Sequence, residues 1–143
     1  MDKLDRALIS RLADDARVSL ATLSRSLGVA RSTIQARIER LENTGVIAGY
    51  TVKLGEAARR GRIRATVLLT IEPRAQPAVL SRLRAQPLVE RIHTTSGRFD
   101  LLLQVAAETT AALDALLDEI GAITGVRSSE SLIHLSTKLD RAT

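Results

Sequence analysis

The stretch from Ser19 to Leu41, Ser-Leu-Ala-Thr-Leu-Ser-Arg-Ser-Leu-Gly-Val-Ala-Arg-Ser-Thr-Ile-Gln-Ala-Arg-Ile-Glu-Arg-Leu, constrains the fold more than any other part of the chain. Leu20, Leu23 and Leu27 share one helical stripe, and Ile34, Ile38 and Leu41 continue an apolar face at i, i+4, i+7 on a second helix. Gly28 between them supplies a tight turn, so the pattern predicts a helix-turn-helix. Left facing outward are Arg31, Ser32, Thr33, Gln35, Ala36, Arg37 and Arg40. Small hydroxyl and amide groups bracketed by guanidinium groups suit a helix lying in the major groove of DNA, with its first turns on base edges and its flanks on phosphates. Ser32, Thr33, Ala36 and Arg37, with Gln35 on the same face, are the expected base-facing positions, and Arg31, Arg40 and Arg25 the expected phosphate contacts.

Upstream, Leu4, Leu8 and Leu12 with Ile9 form another helical stripe, opened by Asp2 with Asp5 three residues on. This predicts the first helix of a three-helix unit. Ser19 is a good N-cap for the second helix, and the third runs to about Asn43 before Gly45. Its own start is ambiguous: either it begins uncapped at Ala30, or Ser32 caps it with Gln35 answering three residues later. Val46 to Leu54 reads as a short strand, either a wing on the helical unit or a hinge, and Gly55 to Arg62 is a polar, basic linker. The expected organisation is a winged-helix-like helix-turn-helix domain at 1–50, a strand and hinge linker at 51–62, and a second domain at 63–143.

That second half reads strand, helix, strand, strand, helix, strand, the ferredoxin-like split unit, giving an α+β chain. Ile63 to Glu72 is closed by Pro73; Gln76-Pro77 opens a helix; Val89 to Ser96 and Phe99 to Ala106 flank a Ser96-Gly97-Arg98 turn. Thr109 or Thr110 caps a helix bearing Leu113, Leu116, Leu117 and Ile120, and a last strand runs from Val126 to about Leu139. Val67-Leu-Leu69 and Leu101-Leu-Leu103 are apolar on both strand faces, whereas two helices can cover only one. Sheet-on-sheet packing in a two-fold homodimer is the expected solution, and it would pair two DNA-binding units.

Charge agrees in position more than in amount. Residues 1–61 carry 11 Lys/Arg against 7 Asp/Glu, a net of +4, while residues 62–143 carry 10 against 9, a net of +1. Arginine outnumbers lysine 18 to 3 throughout, so arginine content alone says little. The chain has no cysteine, which excludes disulfides, thiolate zinc sites and cysteine nucleophiles. No signal peptide and no membrane-spanning run is evident, and a soluble cytoplasmic protein is expected. No G-x-S-x-G, H-E-x-x-H, CxxC or P-loop occurs, and His93 and His134 lie 41 positions apart with no metal-ligand spacing. No enzyme, cofactor or metal is expected.

Four motifs in order, Leu4-Asp5, Gly45-Val-Ile-Ala-Gly-Tyr50, Gly97-x-Phe99-Asp100 within Ser96-Gly-Arg-Phe-Asp-Leu-Leu-Leu103, and Gly125-Val126, resemble the Lrp/AsnC, or feast/famine, transcriptional regulators. The resemblance covers nearly the whole chain. It implies a sequence-specific DNA-binding regulator whose second module senses an amino acid or similar metabolite and assembles dimers, commonly into octamers. By the same resemblance the effector site maps to His93, Ser96, Gly97, Arg98, Asp100 and the run Ser128, Ser129, Glu130, Ser131. Asp100 could take an ammonium, and backbone N–H groups beside Gly97, serine hydroxyls or Arg98 a carboxylate. Alternatively Gly97 only satisfies a positive φ and Asp100 only orders the turn. Arg98 replaces the acidic residue common at that position in the family. Two other classes stay open: an architectural DNA-coating protein without effector, and, among related chains, a sirohaem decarboxylase.

Overall fold

Asp2 opens the first helix through a reciprocal cap. Its carboxylate accepts the N–H of Asp5 at 2.9 Å while the Asp5 carboxylate accepts the N–H of Asp2 at 3.2 Å, which satisfies two of the donors a helix start leaves unpaired. The computed structural model describes residues 1–59 and 61–141 and divides into two compact units, Met1–Lys53 and Leu54–Asp140. In the first, α1 (Lys3–Asp14) is followed by α2 (Leu20–Leu27) and α3 (Arg31–Asn43). The Ser19 hydroxyl caps α2 by accepting the N–H of Thr22 at 3.1 Å. Gly28 ends it at φ +66°, a left-handed conformation that side chains resist.

The start of α3 is settled in favour of Ala30, which occupies the N-cap with no side-chain hydrogen bond; Ser32 lies inside the first turn and caps nothing. Leu8, Leu23 and Ile34, one from each helix, are fully buried against one another. Leu4, Val18, Leu20, Leu27, Val29 and Ile38 close around them. The apolar stripes thus meet in one small core, and the opposite face of α3 is left to solvent.

The strand expected at Val46–Leu54 does not form. Among the described residues this segment joins no ladder, and Val52 and Leu54 are exposed. Side chains suited to a pleated surface cannot make a strand without a neighbour to accept their backbone hydrogen bonds. Within the expected linker, Glu56–Arg59 makes a single helical turn, α4.

In the second unit, β1 (Ile63–Ile71), α5 (Gln76–Arg84), β2 (Val89–Thr94), β3 (Leu101–Ala107), α6 (Thr110–Gly121) and β4 (Val126–Ile133) build an antiparallel sheet in the order β2-β3-β1-β4. Alternate residues of β1, Ala65, Val67, Leu69 and Ile71, are buried with Leu101, Leu103 and Val105 of β3. Val79 and Leu83 of α5 and Leu113, Leu116 and Ile120 of α6 complete this core. Thr109 is the cap of α6, accepting the N–H of Ala112 at 3.0 Å. Gly125 turns into β4 at φ +101°, and a Cβ there would lie 2.3 Å from that of Ala75.

Three expectations for this half need correction. β4 stops at Ile133, not Leu139, because its partner β1 begins at Ile63; the N–H of His134 reaches the carbonyl of Arg64 at 2.9 Å, and beyond it no ladder partner follows. β2 ends at Thr94 and β3 begins only at Leu101, so Phe99 and Asp100 belong to the turn, not the strand. The uncovered sheet face is mixed, not apolar: Leu68 and Leu102 oppose each other half-buried, but Thr66, Thr70, Gln104 and Glu130 share that face by register.

Candidate nucleic-acid interface and effector site

On α3 the side chains of Arg31, Ser32, Thr33, Gln35, Ala36 and Arg40 are exposed and Arg37 is half-buried, so one helix carries seven of the eight residues expected at DNA; exposed Arg25 lies on α2. They are not equivalent in charge. The Arg37 guanidinium donates to the carboxylates of both Asp2 and Asp5, at 3.2 Å to the latter, and Arg40 donates to Asp5 at 2.7 Å. Among the described residues, Arg25 and Arg31 make no ion pair. The Gln35 amide donates to Glu39 at 3.3 Å, a turn further along the helix.

Asp5 is the one buried polar or charged side chain among the described residues, at 1% exposure. Burial pushes its carboxyl up, but the N–H of Asp2 and the two arginines outweigh this and leave it below the usual carboxylate value. The Arg37 guanidinium pulls Asp2 down to about 2, and Asp2 in turn raises Arg37. Sequence reasoning saw Asp2 and Asp5 as helix starters, and Asp5 also within the Leu4-Asp5 motif, but gave neither an arginine partner. Their arginine partners lie 32 and 35 positions away, where no local spacing signals them.

The residues expected at the effector gather at one end of the sheet but not on one face. His93 opposes Leu102 and shares the open face with Ser128 and Glu130, whereas Ser129 and Ser131 oppose Leu69 and Val67 and share the helix side. The turn Thr95–Asp100 joins this end: the N–H of Asp100 donates to the carbonyl of Leu69 at 2.8 Å, and its carboxylate accepts the N–H of Ile71 at 2.8 Å. That second bond bridges the point where the β1–β4 register shifts, between Thr70 and Ile71, so Asp100 has an ordering role. Its Oδ2 is engaged there. Gly97 stands at φ +115°; Arg98 lies 4.9 Å over the Phe99 ring and 3.7 Å from Glu130.

None of these residues lines either of two surface clefts. One, about 360 Å³, lies at the other end of the sheet among Arg59, Arg62, Arg64 and His134, and another, about 440 Å³, borders Pro73, Pro77 and Leu80. His134 bonds Thr66 at 2.7 Å. No His/Cys/Asp/Glu group among the described residues could hold a metal ion, and no described helix is long and apolar enough to cross a membrane.

A three-helix unit with a polar, arginine-bearing third helix, followed by a βαββαβ sheet unit, couples a helix-turn-helix to an α+β module. Residues 1–42 match the AsnC-type helix-turn-helix domain and residues 64–143 the Lrp/AsnC ligand binding domain. The chain belongs to the Lrp/AsnC family of transcriptional regulators. It is 30% identical over 135 residues to the HTH-type transcriptional regulator FL11 of Pyrococcus furiosus, covering 94% of this chain and 89% of that protein. The FL11 regulator of Pyrococcus horikoshii is 29% identical, over 96% of this chain and 91% of its own length. E. coli AsnC superposes with a TM-score of 0.88 at 25% identity, over 100% of this chain and 97% of that one. A regulator from Neisseria meningitidis, solved as its L-Met complex, shares the fold with a TM-score of 0.86 at 22% identity, over 98% and 93%.

Proposed function

We propose that this regulator binds double-stranded DNA through α3, reading bases with Ser32, Thr33, Gln35, Ala36 and Arg37 and holding phosphates with Arg25, Arg31 and Arg40. The single observation that carries this reading is the exposed face of α3: its first turn offers two hydroxyls with no cap to make, beside a cation with no ion pair. As a homodimer the regulator would set two such helices on a pseudo-palindromic site whose halves lie about one helical turn, roughly 34 Å, apart. Arg31→Ala should weaken operator binding about uniformly across sequences, and Gln35→Ala should cost roughly 1–3 kcal/mol and relax specificity. Unchanged affinity in both variants would remove α3 as the reader.

The second unit would sense an amino acid. Asp100 keeps its Oδ1 for an ammonium, while Arg98, Ser96 and the N–H groups near Gly97 stand close enough in sequence to receive a carboxylate. The Arg98–Glu130 pair is exposed at both ends, so its rearrangement around a ligand costs little. A thermal-shift screen against the amino acids tests this: a ligand at 100 times its Kd should stabilise by about 2.7 kcal/mol. No shift with any of them would end the sensing role. Ligand would act on DNA binding only as far as it prefers one assembly state or one spacing of the two helices.

A further inference from the structure

Asp2 holds Arg37 in a way that separates two duties of one carboxylate. Its Oδ1 accepts the N–H of Asp5 and caps α1, whereas its Oδ2 faces Arg37. Asp5 divides its oxygens likewise, Oδ1 to Arg37 and Oδ2 to Arg40. The two halves of this cluster differ in exposure. Asp2 is 51% exposed and Arg37 28%, so their pair is a surface contact that water and salt weaken. Asp5 is 1% exposed, and a buried carboxylate stripped of every cation is costly. Should Arg37 leave, Asp5 still keeps Arg40 and its cap bond. The cluster can therefore open at Asp2 and Arg37 while Asp5 and Arg40 go on tying α3 to α1.

We infer that Asp2 is an intramolecular competitor of DNA bases for Arg37, occupying that guanidinium in the free protein and yielding it on binding, while Asp5 positions the recognition helix through one guanidinium nitrogen of Arg40. This rests on the α3 reading above. A carboxylate and the acceptor atoms of a base edge both take the N–H groups of a guanidinium, and a bidentate reach to the base edge draws Arg37 away from Asp2. Binding is thereby weakened wherever Arg37 has to be released, and the loss is recovered only where the bases offer it good acceptors.

Asp2→Asn separates the two duties, because asparagine keeps an oxygen for the cap and puts an N–H donor, which cannot hold a guanidinium, in place of Oδ2. The measurement is the affinity of the full chain for the regulator's own upstream DNA at low salt, for the unaltered protein, Asp2→Asn, Arg37→Ala and the double variant. Binding by Asp2→Asn should be tighter by about two- to fivefold, the range an exposed pair supplies, and this gain should vanish in the Arg37→Ala background. A purely structural role for Asp2 predicts weaker binding, and a general charge effect predicts a gain that survives removal of Arg37; either result overturns the proposal. Failure of all four proteins to bind any duplex would overturn the α3 reading itself, and this inference with it. Should Asp2→Asn fold poorly, Asp2→Ser retains a capping oxygen and carries the same expectation.

Discussion

Ala30 is the weakest link in the helical unit: α3 begins there with no side chain to satisfy its first N–H groups. Ala30→Ser should therefore stabilise the protein by about 1 kcal/mol, measured by chemical denaturation, since a hydroxyl at an N-cap adds roughly that much. Asp2 makes the opposite kind of prediction. Its carboxyl is depressed from 3.8 to about 2 in the folded chain, so the stability it adds is fully present above the unfolded value and drains away as pH falls toward about 2. Melting followed from neutral pH down through that window should show Asp2→Asn losing its deficit relative to the unaltered chain; a constant deficit would contradict this. Caps at Asp2 and Ser19 were legible in the sequence, and that of α6 to within Thr109 or Thr110, because capping joins residues three apart. The Asp2–Arg37 contact was not, because only the packing of α1 against α3 creates it.

At the scale of elements, helices declare themselves through their own periodicity, whereas strands depend on neighbours. All three N-terminal helices and, in the second unit, α5 and α6 follow from apolar spacing and end signals. The segment Val46–Leu54 has strand composition and no ladder, and β4 ends where β1 begins to supply carbonyls, six residues short of what its composition suggests. The turn Thr95–Asp100 similarly outgrew a tight hairpin because Asp100 is drawn to the backbone of Leu69 and Ile71. Two separate buried clusters, one around Leu8 and one around Leu103, predict separable damage. Leu8→Ala and Leu103→Ala should each cost roughly 2–5 kcal/mol, the first deprotecting amides of α1 to α3 in hydrogen exchange and the second those of the sheet. Equal deprotection of both units by either variant would mean they unfold as one.

For the whole molecule, assembly is the property a single chain displays least. Apolar runs in β1 and β3 suggested an uncovered apolar face; the register leaves Leu68 and Leu102 at its centre, with threonines, Gln104 and Glu130 around them. That is the composition of an apolar patch with a polar rim, suited to a dimer that relies on shape and register as well as burial. The proposed homodimer should sediment at twice the chain mass and Leu68→Arg should shift it toward the chain mass; an unshifted dimer would place the interface elsewhere, and a monomeric unaltered chain would contradict the pairing. The proposed effector end was legible only as a set of residues: alternation pairs Ser128 with Glu130 and Ser129 with Ser131, but only the β1–β4 register tells which pair lies on the helix side. The central claim, that α3 reads a specific site in duplex DNA, is tested most directly by the ratio of affinities for the regulator's own upstream DNA and for random duplex of equal length, near physiological salt. The account predicts a ratio of about a thousand or more, and a ratio near one would contradict it.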